Sequence, residues 1–179
     1  MNNILSFQYN DIANRFNKTH DDFNYISNNA FFSYLANDLS GKKLLDIGCG
    51  DGNDFDEYLK RGVTVVGIDP SKKLQSFSKH AEKISFGSFE NIPFTKDNFD
   101  IAVSKYALQT SEQIDLFYNE VNRVLKPGGE LIFLVVHPMR QFFEKKTMFK
   151  NYFEKTIVDS VIFNGTITVK EPSLSLIHI

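Results

Sequence analysis

At 179 residues, with a hydrophobic share of 42% and a charged share of 23%, the chain can bury one core and has the composition of a soluble globular domain. A formal net charge of −2 supplies no general attraction to nucleic acid, and no run approaches the ~18 apolar residues of a membrane span. The single cysteine, Cys49, excludes an intrachain disulfide and any metal site built from thiolates, so no metal is expected.

The first forty residues read as a helical cap. Met1 to Leu5 lacks a basic segment leading into an apolar run, so no signal peptide is read and the chain is expected in the cytoplasm. Ile4, Phe7 or Gln8, Ile12 and Phe16 keep a helical spacing, with Asp11 and Arg15 on the wet side. A second helix is expected after Asp21-Asp22, which can cap it. Its apolar side would carry Phe23, Ile26, Ala30, Phe31, Tyr34 and Leu35, and Ser40-Gly41 would end it.

Residues 41–138 then alternate strands with helices. Strands are expected at Leu44–Ile47, Val63–Ile68, Ile84–Phe86, Phe99–Val103 and Glu130–Val136. Helices are expected at Phe55–Arg61, Ser71–Glu82 and after Thr110, whose spacing to Gln113 suits a capping box. Ile114, Phe117, Val121 and Val124 or Leu125 mark the buried stripe of the last helix, with Pro127-Gly128-Gly129 as its stop. Such alternation implies βαβ units: an α/β, Rossmann-like, doubly wound and mostly parallel sheet. In 139–179 a helix over Met139–Lys155 precedes a β-hairpin, Val158–Phe163 and Thr166–Val169 about Asn164-Gly165. The 18 Phe residues either fill the core or line a pocket.

Chemistry concentrates where the first strand ends. Asp46 leads into Gly48, Gly50 and Gly52, whose freedom at φ lets a ligand lie against the backbone. A dinucleotide turn has the spacing G-x-G-x-x-G, but Asn53 stands where that pattern continues. Asp46 and Asp51 crowd the turn with negative charge, which repels a pyrophosphate and suits a ligand bearing an ammonium. Asp69 ends the second strand, 23 residues after Asp46, where an acid can accept hydrogen bonds from both hydroxyls of a ribose.

These segments resemble class I S-adenosylmethionine-dependent methyltransferases. The resemblance covers residues 40–138: the D-x-G-x-G-x-G loop, Gly67-Ile68-Asp69-Pro70-Ser71, Ser88-Phe89-Glu90-Asn91-Ile92-Pro93-Phe94, Phe99-Asp100 leading to Ser104, and Arg123-Val124-Leu125-Lys126-Pro127-Gly128-Gly129. It implies S-adenosyl-L-methionine as cofactor. Asp46, Gly48 and Gly50 would hold its amino-acid end and Asp69 its ribose. Pro70 or a neighbour would pack on the adenine, which Ser88 and Phe89 would flank, and Ser104 would lie under the methionine. The family commonly has an acid where Ser88 stands, so the adenine contact falls to the Ser88 hydroxyl or the Phe89 backbone. Tyr9 resembles a residue of the family's N-terminal helix that closes the pocket; the alternative is a surface tyrosine.

Methyl transfer from a sulfonium needs alignment and dryness, and a base only where the acceptor must lose a proton. His137, at the end of the fifth strand, is the candidate base, or else a loop histidine bonded to carbonyls. Tyr106, Gln109 and Arg140 are candidates to meet the acceptor, with solvated loop groups as the alternative. Cys49 reads as a small packing residue. The family's sheet usually ends in an antiparallel pair; the Asn164-Gly165 hairpin is that pair or, as the preferred reading, an insertion after His137-Pro138 on the acceptor side, which implies that further elements belong after it. The reading is thus a small-molecule methyltransferase. An RNA or protein methyltransferase, a nicotinamide oxidoreductase and a non-catalytic cofactor-binding fragment are the alternatives.

Overall fold

In the computed structural model, which describes residues 4–19, 25–144, 147, 151, 157–162 and 167–172, the apolar runs pair as a parallel sheet. Its strands are β1 (Lys43–Ile47), β2 (Thr64–Asp69), β3 (Ile84–Phe86), β4 (Phe99–Lys105) and β5 (Leu125–Leu134), in the order β3-β2-β1-β4-β5. Parallel neighbours need crossovers, and these include α3 (Phe55–Leu59), α4 (Lys72–Gln75) and α5 (Ile114–Val124). The order reverses between β1 and β4, which opens a crevice beyond the carboxyl ends of those strands.

Side-chain alternation along the strands builds a core on each face. Leu44, Val65, Ile101 and Val103 pack on one side with Phe31, Leu35, Leu39, Phe55 and Tyr58. Leu45, Ile47, Ile68 and Ala102 pack on the other with Phe89, Ile92, Phe99, Phe117, Val121 and Val124. Phe31, Phe55, Phe89, Phe99 and Phe117 are therefore core residues, whereas Phe77, Phe86 and Phe143 are exposed. On the second face Arg123 bridges α5 to the preceding loop. It donates to the carbonyls of Ile92 and Phe94 and to Glu120, which in turn accepts from the Ile92 N–H at 2.8 Å.

Two helices, α1 (Ile4–Thr19) and α2 (Tyr25–Ser33), precede the sheet. Residues 20–24, with the proposed Asp21-Asp22 cap and Phe23, lie outside the described set. Phe31 and Leu35 are buried as expected, but Ile26 and Tyr34 are 85% and 78% exposed and the helix stops at Ser33, before Ser40-Gly41. Its buried stripe is narrower than its apolar composition.

Other differences follow from local hydrogen bonds. The helix expected over Ser71–Glu82 is the single turn α4, followed by a 3₁₀ turn at Ala81–Lys83. The Ser76 hydroxyl bonds the Lys73 carbonyl, Ser78 caps the His80 N–H, and the Gln75 amide takes the Ala81 and Ile84 carbonyls. These side chains compete with helical backbone bonding. Thr110 does not cap α5: it lies in a 3₁₀ turn, Leu108–Thr110, and bonds the Ala107 carbonyl, while α5 begins after Gln113 with no side-chain cap. Pro127-Gly128-Gly129 lies inside β5, where the register with β4 shifts, because Leu125 is already extended.

Beyond β5, α6 (Pro138–Glu144) is shorter than the expected helix, much of whose remainder lies outside the described residues. β6 (Ile157–Ile162) and β7 (Ile167–Pro172) pair antiparallel as a separate two-stranded sheet. The Asn164-Gly165 turn lies outside the described residues, but the strands it was expected to join do pair. Gln8 of α1 clasps β7 reciprocally, its amide donating to the Lys170 carbonyl at 2.8 Å and its carbonyl accepting the Lys170 N–H at 2.7 Å.

Candidate functional site

The chain leaves β1 through a turn that only glycine fits. Gly48 has φ +77°, and a Cβ there would stand 2.2 Å from the Ala107 Cβ. Gly50 has φ +59°. The Gly48 and Cys49 N–H groups donate to the Ile68 carbonyl at 2.9 and 3.1 Å, tying the turn to β2. Cys49 packs against Gly67, where a Cβ would meet its sulfur at 2.5 Å, and burial pushes its thiol well up. It is a packing residue and not a thiolate.

Asp69 organises this edge. One carboxylate oxygen accepts the Gly50 N–H at 2.8 Å, the other the Ser71 N–H at 2.7 Å. Burial raises its pKa to about 6, against the lowering effect of those two bonds. Asp46 is also buried and is held well above the usual carboxylate range, first by desolvation and then by Asp54. Ser104, at the end of β4, is fully buried, and its hydroxyl has no hydrogen-bond partner among the described residues. Two costly buried carboxylates and an unmatched hydroxyl thus stand at the carboxyl ends of β1, β2 and β4.

Sequence reasoning missed the cation nearby. Lys105, directly after Ser104, pairs with Asp54 at 2.5 Å and donates to Asn28 at 3.1 Å, and it draws Asp46 back toward its charged form. The available signal was a charged residue at each of two element ends, which spacing alone cannot match. Asn10 was missed too. Its carbonyl accepts the Ser71 hydroxyl at 2.9 Å and the Lys73 N–H at 3.3 Å, so α1 is clipped over the start of α4. Tyr9 is consequently half-buried. Burial raises its phenol first, followed by the charges of Glu171 and Asp69.

The adenine-side residues are placed unequally. Pro70 is buried beside Asp69. Ser88 is half-buried and forms an isolated bridge with Asn91. The Phe89 ring packs edge-on against Phe117 in the core, 6.0 Å between centroids, so its side chain does not flank a nucleobase and only its backbone remains to do so.

On the other flank, Tyr106 adopts φ +58° and donates its N–H to the Leu134 carbonyl at 2.7 Å. Gln109 is not a solvated loop group. It is 5% exposed, donates to Glu171 at 2.7 Å and accepts the Val136 N–H at 3.0 Å. His137 is exposed, with Nδ1 accepting the Met139 N–H at 3.2 Å. Arg140 is exposed and paired with Glu144 of its own helix at 2.7 Å, so it does not converge on the crevice. Among the described residues no helix is long and apolar enough to cross a membrane.

Comparison with known proteins agrees with this geometry. Residues 45–133 match the family model described as "Methyltransferase domain". The chain is 30% identical over 127 residues to a fatty-acid O-methyltransferase of Mycolicibacterium smegmatis, covering 66% of this chain and 46% of that protein. It is 31% identical over 132 residues to the demethylmenaquinone methyltransferase of Lactococcus lactis, covering 67% and 52%. The chain therefore spans about half the length of these curated relatives. A putative S-adenosylmethionine-dependent methyltransferase from Listeria monocytogenes superposes with a TM-score of 0.67 at 22% identity, covering 83% of this chain and 76% of that one, which shows the shared fold. A second, from Mesorhizobium loti, superposes at 0.54 with 27% identity over 62% and 54%. With the glycine turn, Asp69 and the switch point between β1 and β4 in place, the chain belongs to the class I S-adenosylmethionine-dependent methyltransferase family.

Proposed function

We propose that this chain binds S-adenosylmethionine at the carboxyl ends of β1, β2 and β4, and that the protein transfers its methyl group to a small-molecule acceptor in the cytoplasm. The observation that carries the cofactor reading is the Asp69 carboxylate, buried yet bonded to both Gly50 and Ser71. It is a preformed acceptor of hydroxyls at the edge of a bare glycine turn. The residues present fit the cofactor. An ammonium would offset the buried Asp46 charge, a ribose would bond Asp69, and a polar atom would satisfy Ser104. Gly48 and Gly50 leave room for the amino-acid end, Pro70 and Ser88 with the Phe89 backbone bound the adenine, and Tyr9 closes the pocket from α1.

When bound, the cofactor supplies a methyl activated on a sulfonium. The chain's part is to align that methyl and keep water away. The relatives named above carry fatty-acid and demethylmenaquinone acceptors in their names, which supports a small-molecule acceptor here. Tyr106 and Gln109 border the acceptor side, and His137 offers its second ring nitrogen at the rim.

Titration tests this reading through Asp69. Its folded pKa, about 6, lies above the unfolded value of 3.8. Its stabilising contribution is therefore complete below pH 3.8 and lost as pH rises through 6. From pH 7 to 5 the ligand-free protein gains about 1 kcal/mol from this group. A ribose instead needs the carboxylate, while the ligand's own amino-acid charges persist over this window. S-adenosylhomocysteine affinity, measured calorimetrically between pH 5 and 7.5, should therefore fall about tenfold per unit below pH 6. Affinity flat across that range would refute the assignment of Asp69.

A further inference from the structure

One buried acid is not used by the cofactor reading. Glu171 of β7 is 3% exposed, and Gln109 is its hydrogen-bond donor among the described residues. The orientation of Gln109 is fixed, since its carbonyl is engaged by the Val136 N–H and its NH₂ must face Glu171. No described lysine or arginine pairs with Glu171; neighbouring Lys170 is turned outward to Asp159 at 2.8 Å. The hairpin strand is held in place by the Gln8 clasp and lies against the 3₁₀ turn after β4. Glu171 therefore meets the carboxyl ends of β4 and β5, and Tyr9 stands within electrostatic range of both Glu171 and Asp69.

A carboxylate taken out of water with one neutral amide as donor is undercompensated. A cation brought to that place would offset the cost, whereas a second anion would raise it. We infer that Glu171 is the acceptor-recognition residue of this site and that it selects an amine, carried in as its ammonium. The inference rests on the cofactor reading above. In the reaction one ammonium proton passes to a Glu171 oxygen. The freed nitrogen lone pair then forms the new N–C bond as the S–C bond breaks, and the sulfur keeps the bonding pair as a neutral thioether. Glu171 is buried at the 3₁₀ turn while His137 is exposed at the rim, so Glu171 is the better-placed proton acceptor. Carboxylic acid acceptors, anionic at neutral pH, are disfavoured.

Sinefungin tests this without knowledge of the acceptor, because it carries an ammonium where the transferable methyl would stand. Calorimetry should show the wild-type chain binding sinefungin at least about tenfold more tightly than S-adenosylhomocysteine. Glu171→Gln keeps the bond to Gln109 but removes the charge, and should shrink that preference to about twofold or less while leaving S-adenosylhomocysteine affinity nearly unchanged. Glu171→Asp, which retains the charge, should keep a measurable preference. No wild-type preference, or a preference that Glu171→Gln leaves intact, overturns the proposal. Failure of the wild-type chain to bind either ligand overturns the cofactor reading itself, which is a different result.

Discussion

Replacing Asp69 with alanine should weaken S-adenosylhomocysteine binding by about 10- to 100-fold, the equivalent of losing hydrogen bonds worth ~1.5–3 kcal/mol to a charged acceptor. The effect has two origins. The ribose loses its acceptor, and the Gly50 and Ser71 N–H groups lose the carboxylate that holds the turn against β2. Asp69→Asn separates them, because an amide carbonyl can keep one of the backbone bonds but carries no charge. Its affinity should fall between wild type and alanine, and its pH dependence near 6 should disappear. Calorimetric titration of both variants reads both effects. Wild-type affinity in Asp69→Ala would remove this residue from the site.

The second large effect belongs to Gly48→Ala. The backbone is in the left-handed region at φ +77°, and the added methyl would be 2.2 Å from the Ala107 Cβ. Left-handed conformation costs an L-residue about 1–2 kcal/mol, and forcing a methyl into an occupied place adds about 1–3 kcal/mol. A loss of about 2–5 kcal/mol is expected in chemical denaturation, together with loss of cofactor binding, because the turn and the segment after β4 must separate. Gly50→Ala makes an informative comparison. Its φ is +59°, but a Cβ there meets only a Leu74 methyl, at 3.8 Å. It should show the backbone penalty without the clash. Equal stability of Gly48→Ala and wild type would contradict the close approach of Ala107.

These two residues were also the most legible in the sequence, and the reason is physical. Asp46, the glycines and Asp69 lie at strand ends whose spacing along the chain is set by one crossover, so local pattern and spatial position coincide. The five strands were legible for the same reason, since buried parallel strands must be short apolar runs. What failed depended on competition or on distant partners. Ser71–Glu82 has a helical composition, yet Gln75, Ser76 and Ser78 bond the backbone and stop the helix after Gln75. Ile26 and Tyr34 have the spacing of an apolar side but are exposed among the described residues. Thr110 and Gln113 have capping-box spacing, but a 3₁₀ turn takes the threonine first. Arg140, a candidate for an anion, pairs with Glu144 one helical turn away.

The flank where the hairpin meets the 3₁₀ turn after β4 was the least legible part. Gln109 and Glu171 are 62 residues apart and meet only because the hairpin folds back over the end of β4. Lys105 and Asp54 likewise meet across the top of β1. A charged residue at an element end has no periodicity to announce its partner. Tyr9 could be read from its motif as either a lid or a surface residue, and it took Asn10 clipping α1 onto Ser71 to put it among the acids.

The acids around the glycine turn should select an amino-acid-bearing nucleoside over a dinucleotide. Side-by-side calorimetric titration of the chain with S-adenosylhomocysteine and with NAD tests it most directly. Saturable binding of S-adenosylhomocysteine with no detectable heat from NAD is the result the structure predicts. Tight binding of NAD with none of S-adenosylhomocysteine would contradict it.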